Sequence, residues 1–299
     1  MSELRFDNRV AIVTGGARGL GRSHSLALAA RGAKVVVNDL GGSAFGGGAD
    51  ASAADAVVAE IKAAGGDAVA NHDSVLNGAK IVQTAMDTYG RVDIVINNAG
   101  ILRDASFHKM TDEDWDLVYN VHVKGAYAVT HAAWPHMRAA LYGRVIFTAS
   151  AAGIYGNFGQ ANYSMAKIGL YGLCRSLAYE GKKHNIVCNV IAPFAGSRMT
   201  ETVLPSKVLD KIKPEYVSPL MVKLCSEAHT DGGGLYEVGA GWFGRLRWER
   251  TTGLTMDLDE GVTAEKLAEN WDRVVDFSDA THPRHIGDAL KPLYANIEK

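Results

Sequence analysis

The chain has 299 residues, of which 47% are hydrophobic, and its formal net charge is −2. It can therefore bury a large core, and its charge argues against a partner that is a nucleic acid or an anionic membrane. Its three cysteines lack CxxC spacing, and we find neither a secretory signal pattern nor 18 consecutive apolar residues, so we expect a protein of a reducing compartment without a membrane span.

Short apolar runs alternate with amphipathic stretches along most of the chain. The predicted strands are residues 9–15, 33–40, 67–74, 92–100, 143–150, 185–193 and 233–241. The predicted helices are residues 20–32, 51–64 and 77–89, a long helix that opens at Thr111, and a helix that carries YSMAK (163–167). This alternation predicts an α/β fold, a doubly wound seven-stranded parallel sheet of the Rossmann type.

Two stretches depart from the alternation. Residues 41–52 are glycine-rich and predict a surface loop, whereas Leu267, Trp271, Val274 and Val275 give the last segment a helical pattern. We therefore expect a dinucleotide-binding domain over residues 1–241 and a C-terminal extension over 242–299, which packs on the core or on a partner subunit. The chain ends in IEK rather than in an SKL-type peroxisomal signal, so we expect a cytoplasmic protein.

TGGARGLG (14–21) lies between the first predicted strand and the first predicted helix, with glycines at Gly15, Gly19 and Gly21. A sharp turn into a helix favours residues without a Cβ, and the free N–H groups of the helix N-terminus attract an anion. Because the pattern has a strand before it and a helix after it, it predicts a site for a dinucleotide pyrophosphate.

Asp39 ends the second predicted strand, 18 residues after Gly21. A carboxylate at this place accepts hydrogen bonds from the adenosine ribose and repels the 2′-phosphate of NADP, which favours NAD. Arg18 is the counter-argument, since its guanidinium could pair with that phosphate. We give Asp39 more weight and expect NAD.

YSMAK places Tyr163 and Lys167 four residues apart, on one face of a helix. Taken alone, the pair is either a surface contact or a tuned acid/base. A unit charge about 4 Å from the phenol contributes about 4 kcal/mol at an effective dielectric constant near 20, or about three pKa units.

TGGARGLG, NNAG (97–100), Asn120, Ser150 and YSMAK follow one another along the chain, with Ser150 thirteen residues before Tyr163. In this order they resemble the short-chain dehydrogenase/reductase family, over roughly residues 5–240. The resemblance implies that Tyr163 transfers the proton, that Lys167 stabilises its phenolate, that Ser150 holds the substrate oxygen and that Asn120 holds a water.

The resemblance also implies a set of cofactor contacts, among which Asp73 lies at the position that contacts the adenine. The full set is Gly15, Arg18, Gly19, Leu20, Gly21, Asp39, Asp73, Ser74, Asn98, Ala99, Gly100, Tyr163, Lys167 and Pro193. One departure from the family is Pro193-Phe194, where most members have Pro-Gly, so the loop beside the nicotinamide should differ.

Four stretches narrow the resemblance: NNAGILRD (97–104), GIYGNFGQANYS (153–164), AGSRMTETV (195–203) and LYEVGAGWFGRLRWERT (235–251). They are similar to the (3R)-hydroxyacyl-CoA dehydrogenases of β-oxidation, in a stand-alone bacterial form. This implies NAD-dependent oxidation of an acyl-CoA thioester from a fatty acid or a steroid side chain. It also implies a separate enoyl-CoA hydratase upstream and a homodimer or homotetramer.

Three alternatives stay open: a 17β-hydroxysteroid dehydrogenase acting on free steroid, a 3-oxoacyl-carrier-protein reductase using NADPH, and a cofactor-binding regulatory module without turnover. Arg245, Arg247 and Arg250 interleave with Trp242 and Trp248, which favours a cation–π and interface cluster over a contact to CoA phosphates. Met199, Leu204 and Met221 line an acyl pocket or simply pack a helix. The histidines lack HExxH spacing, so we expect no metal.

Overall fold

The computed structural model describes residues 3–48, 50–196 and 211–298. The chain divides into two compact units, Met1–Arg245 and Leu246–Lys299. Within the described ranges, no helix has both the length and the apolar composition needed to cross a membrane.

The described strands of the first unit form one sheet in the order β3-β2-β1-β4-β5-β6-β7-β8. They are β1 (Val10–Thr14), β2 (Lys34–Asn38), β3 (Asp67–Asn71), β4 (Ile94–Asn97), β5 (Gly143–Thr148), β6 (Ile186–Phe194), β7 (Leu235–Gly239) and β8 (Trp242–Leu246). All neighbouring pairs from β3 to β7 are parallel. The central strands β1, β4 and β5 are buried along their whole length, as expected of a parallel sheet covered on both faces.

Helices cover both faces of the sheet. They are α1 (Gly19–Ala29), α2 (Ser52–Ala63), α3 (Gly78–Tyr89), α4 (Asp112–Tyr119), α5 (Gly125–Ala140), α6 (Ala151–Tyr155), α7 (Ala161–Gly181) and α8 (Ser218–Cys225). α1 packs against α2 and α8, whereas α3 packs against α5, and α4 against α7. The doubly wound α/β architecture that the sequence predicts is confirmed.

The predicted long helix that opens at Thr111 is divided into segments. The Thr111 side chain caps α4 by accepting a hydrogen bond from the Asp114 N–H at 3.2 Å. A π-helical segment, Asn120–Lys124, then joins α4 to α5. Such segments insert an extra residue into a helical turn and are frequent at functional sites.

The eighth strand was not predicted. Ala240 and Gly241 connect β7 to β8 and both have positive φ, at 49° and 80°, which is the geometry of a tight two-residue hairpin turn. Trp242, the first residue of β8, is 60% exposed, and none of the strand is buried. The sequence prediction identified strands by runs of buried apolar residues, and β8 has no such run. The predicted sheet of seven parallel strands therefore lacked β8, which forms the edge of the sheet.

The second unit contains α9 (Ala264–Glu269), α10 (Trp271–Val275) and α11 (Ile286–Ile297). Arg250 donates to the carbonyl oxygens of Asp288 and Ala289, and its backbone pairs with that of Thr281. None of the described residues of this unit is fully buried, and Trp271 is 52% exposed. The apolar side of the helical pattern is thus left uncovered within the unit itself.

Candidate active site

The predicted site residues meet at the carboxyl edge of the sheet. There, the residues at the end of β1 are hydrogen-bonded to the residues that follow β4. The Thr14 hydroxyl accepts hydrogen bonds from the N–H groups of Asn98 at 3.0 Å and Ala99 at 3.1 Å. The Asn98 side-chain amide in turn donates to the carbonyl oxygens of Thr14 and Gly15. These bonds fix the NNAG stretch against the glycine loop, so the two motifs form one surface.

The glycine loop turns directly into α1, which begins at Gly19. A Cβ at Gly21 would overlap the carbonyl oxygen of Gly15, so this close approach requires glycine. The first N–H groups of α1 have no intrahelical acceptors and lie at the edge of the sheet. The arrangement fits a pyrophosphate, and Leu20, half-buried beside it, lies in the same turn.

Asp39 is half-buried and already holds the loop in place. Its carboxylate accepts hydrogen bonds from the N–H groups of Ala17 at 3.0 Å and Gly41 at 2.7 Å. A carboxylate has about four acceptor positions, so two are left for ribose hydroxyls. The guanidinium of Arg18 lies 3.5 Å from the Asp50 carboxylate, in the loop that follows β2. Arg18 is therefore already paired with a carboxylate of the same chain.

A network of buried amides supports the predicted adenine end of the site. Asn71 donates to the Asp73 carboxylate and accepts from the Asp73 N–H, both at 3.1 Å. Asn38 donates to the Asn71 side-chain oxygen and to the Asp73 carbonyl oxygen, both at 2.8 Å. Ser74 caps the following turn by accepting from the Leu76 N–H. The sequence reasoning missed Asn38 and Asn71, although a polar amide at a buried strand end was the available signal.

The Tyr163–Lys167 pair lies near the start of α7. Lys167 is 3% exposed, and its ammonium donates to the Thr148 carbonyl oxygen at 2.6 Å and lies 5.4 Å from the centre of the Tyr163 ring. Ser150 follows β5 and caps α6 by accepting from the Ala152 N–H at 3.2 Å, and it lies close enough to Tyr163 to lower the pKa of the phenol. The three predicted residues are thus brought together at the end of β5.

Burial dominates the protonation of this pair in the absence of a cofactor. It lowers the pKa of Lys167 from 10.5 to about 7. It raises the pKa of Tyr163 to about 12, although the Ser150 side chain lowers the pKa in part. Without a cofactor, the phenol of Tyr163 therefore stays protonated at physiological pH, because both groups are desolvated and Lys167 donates to Thr148.

The elements that carry Asn120 and Pro193, the π-helical segment and β6, both contact α7. Asn120 opens the π-helical segment, and its carbonyl oxygen accepts from the Gly125 N–H. Pro193 lies near the end of β6, and the following Phe194 is 49% exposed. A further residue that the sequence reasoning missed is His122, whose ring meets the Tyr163 ring edge-on at 5.3 Å. The sequence feature that could have identified His122 is a histidine among apolar residues of a predicted helix, two residues after Asn120.

Some candidate substrate contacts lie elsewhere. Met199, Leu204 and most of AGSRMTETV lie outside the described residues. Met221 is fully buried in α8 with its sulfur 3.8 Å from that of Cys225, which supports helix packing rather than an acyl pocket. Arg245 stacks on Tyr236 at 5.6 Å and pairs with Asp231 at 3.7 Å.

These features define the class of protein. The sequence pattern of the short chain dehydrogenase family matches residues 9–207, and the chain belongs to this family. The family resemblance of the motifs is therefore confirmed. The family and the fold imply a nicotinamide nucleotide cofactor, which the glycine loop and the Asp39 carboxylate fit.

Among relatives, the chain is 58% identical over 299 residues to peroxisomal multifunctional enzyme type 2 of Mus musculus, covering 100% of this chain and 41% of that protein. It is 54% identical over 297 residues to the peroxisomal hydratase-dehydrogenase-epimerase of Neurospora crassa, covering 99% of this chain and 33% of that protein. The solved structure of full-length peroxisomal multifunctional enzyme type 2 from Drosophila melanogaster matches with a TM-score of 0.85 and 42% identity, covering 99% of this chain and 50% of that one. The chain thus spans a third to a half of these relatives.

Proposed function

We propose that the protein oxidises a (3R)-3-hydroxyacyl-CoA to the 3-oxoacyl-CoA with NAD, in the degradation of fatty acids or steroid side chains. The observation that carries this proposal is the meeting of Tyr163, Ser150 and Lys167 beside a glycine loop, in a chain similar over its length to multifunctional and hydratase-dehydrogenase enzymes.

In this proposal, Tyr163 removes the proton of the substrate hydroxyl, while Ser150 donates a hydrogen bond to the same oxygen. NAD, when bound, would supply the acceptor for the hydride of the carbinol carbon and would add a positive charge to the site. Lys167 holds an ammonium close to the Tyr163 ring and is fixed by the Thr148 carbonyl oxygen at 2.6 Å. Asn120 would hold a water beside Lys167, as the family resemblance implies.

The carboxylates around the ribose position support NAD over NADP. Asp39 has acceptor capacity left for ribose hydroxyls, and its negative charge opposes a 2′-phosphate. Arg18 is the cation that could offset this repulsion, and Asp50 engages it at 3.5 Å. We retain in this proposal the cofactor set that the sequence predicts, from Gly15 to Pro193.

The proposed setting follows from the same resemblance. A separate enoyl-CoA hydratase would supply the 3-hydroxyacyl-CoA, and we propose a cytoplasmic homodimer or homotetramer. In it, residues 1–241 would bind the cofactor, and residues 242–299 would extend the core or reach a partner subunit.

The test is a substrate panel with the purified protein. Both enantiomers of short, long and steroid-bearing 3-hydroxyacyl-CoA thioesters are assayed with NAD and with NADP, beside free 17β-hydroxysteroids and 3-oxoacyl-carrier proteins. We expect turnover of the (3R) thioester with NAD. Activity confined to the (3S) form, to free steroid or to carrier-protein thioesters would overturn the substrate assignment, and NAD binding without any turnover would favour a regulatory module.

A further inference from the structure

His122 lies in the π-helical segment and is buried behind the catalytic pair. Its imidazole is 2% exposed and meets the Tyr163 ring edge-on, with 5.3 Å between ring centres and 90° between planes. Edge-on ring contacts are favourable beyond the area that they bury. The imidazole thus limits how the Tyr163 ring can tilt.

The same imidazole fixes the chain just after the NNAG motif. Its Nε2 lies 2.8 Å from the carbonyl oxygen of Ile101 and 3.1 Å from the N–H of Ile101. The shorter contact corresponds to an Nε2–H that donates to the carbonyl oxygen, and this tautomer leaves Nδ1 as an acceptor. A Cβ at Gly100 would overlap the imidazole, so the glycine of NNAG is what gives His122 its place.

His122 and Lys167 both line a small polar cavity. The cavity is about 10 Å³ in volume, which is the size that one water molecule requires. Asn97 and Thr148 line it together with His122 and Lys167. Among the described residues, three buried atoms at this place have no hydrogen-bond partner: His122 Nδ1, Asn97 Oδ1 and Thr148 Oγ1. Buried polar groups normally have partners, so the three atoms point to a hydrated link to the ammonium.

The charges that act here favour a neutral imidazole. Burial and the nearby Lys167 ammonium hold the pKa of His122 well below its usual range. The other titratable group that contacts the imidazole is Tyr163, on which the Asp104 carboxylate also acts by raising the pKa. A neutral ring can accept a hydrogen bond at Nδ1, whereas a protonated ring could not.

We propose that His122 is a positioning residue of the active site: Nε2 anchors Ile101, the ring edge orients Tyr163, and Nδ1 accepts a water-mediated hydrogen bond from the Lys167 ammonium. This inference rests on the proposed dehydrogenase function for its effect on turnover. It extends the site to a residue outside the proton-transfer set.

Three variants separate the contributions. His122→Phe keeps an aromatic ring against Tyr163 and removes both nitrogens. His122→Asn retains a polar atom near the place of Nδ1, and His122→Gln retains one near the place of Nε2. Circular dichroism and thermal unfolding identify folded variants, and the titration of Lys167 is followed by NMR of its ¹³Cε without substrate.

Loss of the acceptor disfavours the charged ammonium, so we expect the Lys167 midpoint to fall by about one pH unit in His122→Phe and His122→Gln, and to stay near that of the unmodified protein in His122→Asn. The pH–rate profile for oxidation should move to higher pH in the same two variants, while NAD affinity changes less than about three-fold. Unchanged Lys167 midpoints in folded His122→Phe and His122→Gln would overturn the proposal. A Lys167 titration that behaves as expected in a protein without dehydrogenase activity would instead reject the proposed function alone.

Discussion

The buried ammonium of Lys167 should lower the free energy of unfolding, and the substitution Lys167→Met tests this directly. Burial lowers the pKa of Lys167 from 10.5 to about 7. Each pKa unit corresponds to about 1.4 kcal/mol, so the charge costs the folded state about 5 kcal/mol below pH 7. The hydrogen bond to Thr148 offsets about 1.5–3 kcal/mol of this cost. We therefore expect Lys167→Met to stabilise the protein by about 2–3.5 kcal/mol at pH 6.

The free energy of unfolding of the unmodified protein should rise with pH. Below pH 7, Lys167 is protonated in both the folded and the unfolded states, and the folded state bears the whole cost. Between about pH 7 and 10.5, the unfolded state still binds the proton and the folded state does not, so stability rises with pH. At pH 9, two units above the folded pKa, about 3 kcal/mol of the cost is removed. The advantage of the methionine variant should then disappear.

Urea unfolding of the cofactor-free protein at pH 6 and pH 9 measures the effect. Lys62→Met, which removes an exposed lysine from α2, is the matched control and should change the free energy of unfolding by less than about 0.5 kcal/mol at either pH. A difference between Lys167→Met and the unmodified protein that is the same at both pH values would refute the reasoning. The ammonium would then not be desolvated as its position requires.

Two further predictions concern the cofactor. Asp50→Asn releases Arg18, so NADP should bind about three- to ten-fold more tightly, with little change in NAD affinity. Substitution of the exposed Asp87 by Asn serves as the control. An unaltered NADP affinity in Asp50→Asn would count against the ion-pair argument. Gly21→Ala places a methyl group against the backbone of the glycine loop, so NAD binding measured by calorimetry should weaken about 10- to 100-fold. The control Gly172→Ala has open space around its Cβ position and should bind NAD normally. Equal affinities of the two variants would contradict the close approach at Gly21.

The sequence predicted the features that depend on local pattern. Buried apolar runs identified β1 to β7, and the glycine spacing identified the turn into α1 because few other patterns fit a strand followed at once by a helix. The spacing of Ser150 and Tyr163 matched the family pattern; Ser150 caps α6 just after β5, and Tyr163 lies near the start of α7.

The remaining features depend on contacts between distant segments. β8 is an exposed edge, so its side chains carry no burial signal. The π-helical segment at Asn120–Lys124 contacts α7, which is distant in the sequence, and helix propensity does not encode such a contact. The pKa values of Lys167 and Tyr163 follow from their desolvation, which the YSMAK spacing alone could not supply.

The most direct test of the central claim compares Tyr163→Phe with the unmodified protein in oxidation of (3R)-3-hydroxyacyl-CoA at saturating NAD across a range of pH. The substitution keeps the ring beside His122 and removes the phenolic oxygen. We expect kcat to fall by at least about 100-fold at every pH, while NAD still binds, because the glycine loop is untouched. Near-normal turnover by a folded Tyr163→Phe protein would show that another group transfers the proton, and the Tyr163–Lys167 pair would then be no more than a helix contact.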